Sequence, residues 1–244
     1  MLLFIKKYIY FFILCSFLFS QVGLAIVTKS SGDVEYKYYL DTDFTSSIKP
    51  GTQLFNNDLI RTGSNGFIKF SYLDDGTTIK VHRDTELYIR GHINKQNISK
   101  RINMTNGILK LDVSKQNEEE FKIITPTSVA SVKGTSFILE TSDDGDKFYG
   151  FEGLVEILNK ESNQIVNLSK NLKVLSSIDG NINSEIITAD DTELLDSFIR
   201  FEEELELDQD SIEEINNIES TKELRIKVYN SEGSEKIIII KYNE

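Results

Sequence analysis

Two groups of carboxylates at turn positions are the residues of this sequence whose types and spacing could support chemistry. The first is Asp74-Asp75, directly before Gly76, and the second is the run Asp143-Asp144-Gly145-Asp146. Two carboxylic acids can act as the acid and the base of a glycosidase. Oxygen ligands of this kind also suit calcium. The sequence therefore raises two hypotheses, a carbohydrate-degrading site and a weak calcium site made of Asp143, Asp144 and Asp146.

Each hypothesis lacks part of its usual setting. A glycosidase needs a cleft, usually lined with aromatic side chains, and the chain has no Trp. Its candidate groove residues are Tyr36, Tyr38, Tyr39, Phe67, Tyr72, Phe148 and Tyr149, but core or surface strand positions are the favoured interpretation for them. The carboxylate run lacks both the full calcium-loop spacing and a distal bidentate Glu. We therefore predict no catalytic residue, no cofactor and no metal beyond this weak candidate.

Other kinds of chemistry find little support in the residue inventory. Cys15 is the one cysteine and lies in the N-terminal apolar run, so a cleaved chain has no disulfide, thiolate nucleophile or Cys-ligated metal. Two histidines, His82 and His92, are too few for a His-rich metal site. No Walker loop, dinucleotide fingerprint or Ser-His-Asp order is visible. The inventory favours a protein that is not an enzyme.

The charge of the chain is concentrated in one segment. The formal net charge is −12. Residues 190–220 contain thirteen acids and a single base, Arg200, so this segment carries the whole net charge and the rest of the chain is neutral. Binding to nucleic acid requires a basic face that neutralises phosphates. We therefore predict no nucleic-acid partner.

The N-terminus has the pattern of an export signal. Lys6 and Lys7 precede an apolar run over residues 8–19, which is short for a membrane span. We expect a signal peptide over residues 1–20, with cleavage as late as residue 25 as a second choice. An uncleaved anchor and a lipid on Cys15 are further alternatives. The mature chain is expected in the periplasm or secreted, with no stable membrane span after cleavage.

The body of the chain, residues 25–175, has the pattern of an all-β domain. Short alternating apolar segments are separated by turn residues such as Ser31-Gly32-Asp33 and Asn65-Gly66. This predicts an antiparallel β-sandwich or a short irregular β-solenoid. Residues 91–101 are predicted to be a polar connection between strands, and the strand series is predicted to end at Leu175.

The C-terminal part predicts a helix and then a hairpin. Residues 188–220 form an acidic helical segment, with Asp191 or Thr192 as N-cap and a second short helix over 211–218. Its apolar stripe consists of Leu194, Leu195, Phe198, Phe201 and Leu205. Residues 221–244 predict a β-hairpin. The acidic segment is interpreted either as a docking arm for a partner or as a solvent-exposed segment that covers part of the β domain.

Several short motifs, taken in order, resemble the FecR domain over roughly residues 25–175. The matching positions are Gly51, Leu54, Asp58, Thr62, Gly63, Gly66, Asp75, Gly76, Thr77, Pro126, Gly134, Thr135, Phe137 and Gly153. The family usually has Gly-Asp where this chain has Asn57-Asp58, and Asn tolerates the left-handed backbone that Gly supplies. All these positions are interpreted as turn and strand chemistry, with the carboxylates of Asp74 and Asp75 capping backbone amides.

The resemblance implies a function in signalling. Named family members regulate iron uptake, span the inner membrane, hold an extracytoplasmic sigma factor on the cytoplasmic side and sense a receptor with the periplasmic part. Here only about seven residues precede the apolar run, so the expectation is the exported sensory domain without direct control of a sigma factor.

The predicted function is an exported, non-enzymatic binding, scaffold or sensory module. It would act through contacts with an envelope protein or with another copy of itself. The alternative is a carbohydrate-binding or carbohydrate-degrading envelope protein, and a regulator of an extracytoplasmic sigma factor is the third reading.

Overall fold

A computed structural model describes residues 22–45, 48–94, 97–116, 120–229 and 235–243, and of residues 206–243 the backbone only. The described residues form eighteen strands and one helix. They divide into two compact units, one ending at Ile187 and the other beginning at Thr188. No helix in these ranges has the length and apolar character needed to span a membrane. The predicted signal peptide, residues 1–20, lies outside the described residues.

The first unit consists of sixteen strands. In chain order they are β1 (Ala25–Ser31), β2 (Val34–Lys37), β3 (Gln53–Leu54), β4 (Leu59–Thr62), β5 (Phe67–Tyr72), β6 (Thr78–Val81), β7 (Glu86–Asn94), β8 (Asn97–Val113), β9 (Phe121–Ile124), β10 (Ser128–Val132), β11 (Thr135–Ser142), β12 (Gly145–Glu152), β13 (Leu154–Asn159), β14 (Ile165–Ser169), β15 (Leu172–Ser177) and β16 (Ile182–Ile186). The prediction of a mainly β domain is confirmed.

The long strand β8 joins two layers of strands. Its first half pairs with β7 and, in parallel, with β9, while its second half pairs with β6 and β11. The first layer has the order β3-β1-β5-β6-β8-β11-β12-β15-β16. The second layer has the order β2-β4-β7-β8-β9-β10-β13-β14. Apart from β8–β9, the strand pairings in both layers are antiparallel.

The two layers enclose one apolar core. Alternating strand positions bury Phe70, Phe137 and Phe148 from the first layer and Phe121 from the second in a single cluster. Side chains meet across the layers: the Tyr72 and Phe121 ring centroids lie 5.8 Å apart. Each strand presents one apolar face to this core. The opposite face of the first layer also buries side chains, among them the paired Ile138 and Tyr149.

The prediction of a polar connection over residues 91–101 is wrong. Strand β7 continues to Asn94 and β8 begins at Asn97, so this stretch is a β-hairpin. Its core-facing residues include Ile98 and Lys100. Because a lysine occupies a core position, the sequence does not show the alternation of apolar and polar residues that predicts a strand. Strand β16 was also missed, because this edge strand pairs with β15 alone and most of its side chains are exposed.

A glycine marks the point where β8 passes from one layer to the other. Gly107 has φ 110°, and a Cβ there would lie 2.1 Å from the Thr85 hydroxyl oxygen and 2.4 Å from the Thr85 Cα. Non-glycine residues rarely adopt such a φ, and here the space is occupied as well. The strand crossing therefore depends on glycine.

Replacing Gly107 should destabilise the fold much more than replacing a glycine that also has positive φ but has no atoms close to its Cβ position. Gly107→Ala is expected to lower the free energy of unfolding by roughly 2–3 kcal/mol. Gly51→Ala is the matched control: its φ is 90° but no atom lies within 4 Å of its Cβ position, so about 1 kcal/mol is expected. Urea unfolding of the two variants measures the difference, and equal losses would contradict the crowding argument.

The second unit contains one continuous helix and a hairpin. Helix α1 (Ala189–Ser220) has no break, so the prediction of a separate helix over 211–218 is wrong. The N-cap is Thr188 instead of Asp191 or Thr192, since the Thr188 hydroxyl oxygen accepts from the Asp191 amide at 3.3 Å and the Asp191 carboxylate accepts from the Thr188 amide at 2.8 Å. Strands β17 (Thr221–Tyr229) and β18 (Glu235–Asn243) pair in antiparallel fashion, which confirms the predicted hairpin.

Candidate functional site

Asp58 is a buried carboxylate that ties three chain segments together. It has no exposed surface and stands directly before β4. The Tyr36 hydroxyl donates to Asp58 at 2.6 Å, and the amides of Phe55 and Tyr39 donate at 2.8 and 3.0 Å. Burial raises the pKa of Asp58, and these three hydrogen bonds oppose that shift. Every contact of this carboxylate is internal, so the residue positions turns.

The preceding turn uses the left-handed backbone that the sequence predicted for Asn57. Its φ is 72°, the conformation a glycine would otherwise supply. The side chain of Asn57 also accepts a hydrogen bond from Arg90 Nη1 at 2.7 Å. The departure from the usual Gly-Asp pair therefore keeps the same backbone geometry.

The Thr62-Gly63 pair and Gly66 allow two turns to approach closely. The Thr62 hydroxyl donates to the His82 carbonyl at 2.6 Å and accepts from the Thr85 amide at 3.0 Å. A Cβ on Gly66 would lie 2.2 Å from the Asp33 carbonyl oxygen. These signature positions thus serve packing between loops.

The Asp74-Asp75 pair forms a buried ion cluster with Lys100. Lys100 Nζ lies 2.7 Å from Asp74 Oδ2 and 3.0 Å from Asp75 Oδ2, and the lysine is 4% exposed. Gln116 Nε2 donates to Asp75 at 2.7 Å. The Asp75 carboxylate also accepts from the Thr77 amide at 2.8 Å. Both carboxylates therefore share the single cation of Lys100 and are held in place, and the pair is not set up as an acid and a base in a cleft.

The pKa of Asp75 reflects this setting. Burial disfavours its charged form, but the Thr77 amide, Lys100 and Gln116 together outweigh burial and hold the pKa below its ordinary value. Sequence reasoning missed Lys100 and Gln116. The available signal was a lysine between Ile98 and Ile102 in a strand alternation, which places the cation on the core side.

Asp146 is a further buried carboxylate and lies between the layers. The Thr125 hydroxyl donates to Asp146 at 2.6 Å and accepts from the Ser128 amide at 2.8 Å. The neighbouring Ser128 and Ser176 hydroxyl oxygens lie 2.9 Å apart and link β10 to β15. Burial raises the pKa of Asp146. The threonine that precedes Pro126 therefore has an internal, structural partner.

The candidate calcium residues are not brought together. Asp143 and Asp144 are exposed in the turn before β12, whereas Asp146 points into the interior. The cause is strand alternation, since Asp146 is the second residue of β12 and takes a core-facing position. Within the described ranges, no group of three or more His, Cys, Asp or Glu side chains is arranged to hold a metal ion.

The raised pKa of Asp146 predicts a pH dependence of stability. The folded state retains the proton to higher pH than the unfolded chain, whose aspartates titrate near about 3.9. Wild-type stability should therefore fall relative to Asp146→Asn as pH rises from about 4 to 7. Urea unfolding of both proteins at several pH values measures this difference. A constant difference would contradict the assigned shift.

The remaining signature positions lie in the core or at turns. Leu54, Thr77 and Phe137 are buried. Gly51, Gly76, Gly134 and Gly153 have positive φ, and a Cβ on Gly153 would lie 2.5 Å from the Gly134 carbonyl oxygen. Thr135 is buried beside this contact, and Pro126 is exposed in the β9–β10 turn.

Two shallow clefts lie on the surface of the first unit. One, of about 390 Å³, is lined by residues including Asp112, Lys115 and Glu152. The other, of about 580 Å³, is lined by residues including Arg83 and Glu140. Neither cleft is lined by an aromatic side chain. Both therefore lack the stacking surface that the carbohydrate alternative calls for.

The aromatic residues considered for a sugar-binding groove lie mainly in the interior. Those that are buried are Tyr36, Phe67, Tyr72, Phe148 and Tyr149. Tyr38 packs edge-on against Tyr39 and Phe55, with ring centroids 4.6 and 5.6 Å apart. The structure thus uses these aromatics for packing.

Comparison with known proteins agrees with the motif order. Residues 58–156 match the family model described as FecR protein. The first unit of this chain therefore contains a FecR domain. No protein of curated function matches the chain.

Two crystal structures, at 2.50 and 1.65 Å resolution, show a candidate anti-sigma factor from Parabacteroides distasonis ATCC 8503. Each is 18% identical to this chain, with a TM-score of 0.45 over 52% of this chain. The matched region spans 59% of the length of those proteins.

Proposed function

We propose that this protein is a non-enzymatic signalling or scaffold module that acts in the cell envelope through contacts with another protein. One observation carries the proposal: of the polar signature side chains, Asp58 and Thr62 are buried, Asp75 is half-buried, and all three are bonded internally. Asp58, Asp75 and Thr62 hold turns together and present no reactive group to a substrate. Because these signature residues stabilise the fold and form no reaction centre, we infer that the domain functions through contacts at its surface.

The proposal is tested by crosslinking. The mature chain, residues 21–244, and a version ending at residue 187 are used as baits in the cell envelope of the source organism. We expect a specific protein partner with the longer chain. Loss of that partner on truncation would assign contact to the second unit, and retention would assign it to the FecR-containing unit. Recovery of glycan without protein would overturn the proposal in favour of carbohydrate binding.

A second candidate function is regulation of an extracytoplasmic sigma factor. The FecR match over residues 58–156 favours it, because the named family members act in such pathways. Deletion of the gene should then change the activity of a reporter driven by a promoter of that sigma factor class. Restoration by the full chain is the required control. An unchanged reporter under all tested envelope stresses would contradict this candidate.

A further inference from the structure

The outer face of the second layer carries an apolar row across neighbouring strands. Strand register aligns Tyr88, Asn103, Ile124, Val129, Leu158 and Ile165. The core-facing neighbours, such as Ile89, Ile123 and Ile157, are fully buried, so the aligned residues lie on the opposite face. Ile165 is 56% exposed and the other members of the row are partly exposed.

A basic row runs directly beside the apolar one. Register places Arg90 opposite Arg101, and Arg101 opposite Lys122. Like charges on facing strand positions repel one another. The row continues through Ser131 to Glu156, two strands beyond Lys122. The first three positions are therefore a local concentration of positive charge.

The acids near this row neutralise it only in part, since Lys133 and Lys122 act together to lower the pKa of Glu120. Glu120 pairs with Lys133 at 3.0 Å, and Glu86 pairs with Arg61 at 2.6 Å. Arg90 Nη1 donates to the neutral side chain of Asn57. Among the residues that the structure describes, Arg101 and Lys122 have no carboxylate within 4.0 Å. Their charges remain available at the surface.

Two buried polar atoms on the same face also lack partners in the described part of the chain. They are Arg90 Nε, a donor, and Asn103 Oδ1, an acceptor. Buried polar atoms normally find a hydrogen bond, and each such exception calls for an explanation. Neither atom is exposed to solvent, so the backbone of a bound polypeptide could bond them only if the Arg90 and Asn103 side chains rotate outward.

We propose that this face, defined by Arg90, Arg101 and Lys122 with the apolar row beside them, docks an acidic segment of a partner protein. Carboxylates of that segment would meet the basic row, and its apolar side chains would cover Ile124, Val129 and Leu158. The inference rests on the proposed function and names the chemistry of the partner. Phosphate polyanions fit less well, because the apolar row beside the basic one offers them no contact.

Short labelled peptides provide the test. Peptides of alternating Glu and Leu, Gln and Leu, and Lys and Leu are titrated with the full mature chain, and binding is followed by fluorescence anisotropy. We expect the Glu-Leu peptide to bind most tightly and to weaken with added salt. The double variant Arg101→Glu/Lys122→Glu should bind it at least about tenfold more weakly, as expected for reversed charges facing a complementary partner.

A charge-matched variant controls for net charge. Lys49→Glu/Lys170→Glu changes two exposed lysines outside this face by the same total charge, and it should bind the peptide as the wild type does. Unchanged melting temperatures would show that all variants fold. Equal losses in both double variants, or no preference for the Glu-Leu peptide, would overturn the inference. The inference would also be overturned if a DNA duplex or phosphatidylglycerol vesicles bound as tightly as the Glu-Leu peptide and lost binding in Arg101→Glu/Lys122→Glu.

The envelope crosslinking experiment separates this inference from the proposed function. If the wild type and Arg101→Glu/Lys122→Glu capture the same partner equally, the docking face is wrong while the proposed function stands. If neither the wild type nor any variant captures a protein, the proposed function itself fails.

Discussion

Replacing Lys100 by methionine should lower the free energy of unfolding by about 3–5 kcal/mol, because it leaves two carboxylates without their cation in a buried site. Lys100 Nζ contacts both Asp74 and Asp75, and its side chain is 2% exposed. Methionine has similar length and no charge, so lost volume contributes little. Urea unfolding with an unchanged m value measures the loss.

An exposed lysine in a comparable ion pair is the control. Lys133 lies 3.0 Å from Glu120, but its side chain is 74% exposed. Lys133→Met should therefore cost less than about 1 kcal/mol, since solvent screens the pair. Similar losses of unfolding free energy for Lys100→Met and Lys133→Met would contradict a large contribution of the Lys100–Asp74–Asp75 cluster to stability.

The double variant Lys100→Met/Asp75→Asn tests whether the loss in Lys100→Met comes from the uncompensated Asp75 carboxylate. In a Lys100→Met background, Asp75→Asn should cost much less than it does in the wild type, because the carboxylate there no longer has its cation. Contacting residues in one network are expected to deviate from additivity. Strictly additive losses would contradict the coupling of Lys100 with Asp75.

Asp58→Ala is expected to have the next largest effect, about 4 kcal/mol. It removes the acceptor of three hydrogen bonds and leaves the Phe55 and Tyr39 amides and the Tyr36 hydroxyl without their partner. Each unsatisfied buried group costs roughly 1–3 kcal/mol, which together outweighs the benefit of no longer burying a carboxylate. Denaturant unfolding monitored by circular dichroism measures this loss.

Tyr36→Phe is the matched control for Asp58. It removes one of the three hydrogen bonds and keeps the packing of the ring, so a loss of about 1–2 kcal/mol is expected. Asp58→Ala must therefore be the more damaging change. Asp58→Ala at or below the cost of Tyr36→Phe would mean that the two amide bonds contribute little.

Local patterns predicted most strands of the first unit. The alternation in Phe67–Tyr72 and the Asp74-Asp75-Gly76 turn depend on neighbouring residues only, so β5, the turn and β6 could be identified without tertiary information. The helix begins after Thr188 instead of Asp191 or Thr192, because the choice between neighbouring N-caps depends on which side chain accepts from the first amides, and here Thr188 accepts from the Asp191 amide.

Positions that depend on distant segments were not predictable. Lys100 belongs in the core because Asp74 and Asp75, on another hairpin, neutralise it there. Strand β16 exists because β15 supplies a hydrogen-bonding edge, although its own residues are mostly polar. The Lys100 contacts join residues 26 and 25 positions apart, whereas β16 lies next to β15 in the chain and was missed because its own residues lack the alternating apolar pattern.

Turn residues, strand alternation and the order of the signature motifs were thus sufficient to predict a mainly β FecR-type domain with an acidic helix and a hairpin. The burial of Asp146 away from Asp143 and Asp144, and the alignment of Arg90, Arg101 and Lys122, were decided by the tertiary structure. Strand pairing brings residues from separate segments into one row or turns neighbours to opposite faces. That pairing depends on contacts throughout the sheet, which no short stretch of sequence contains.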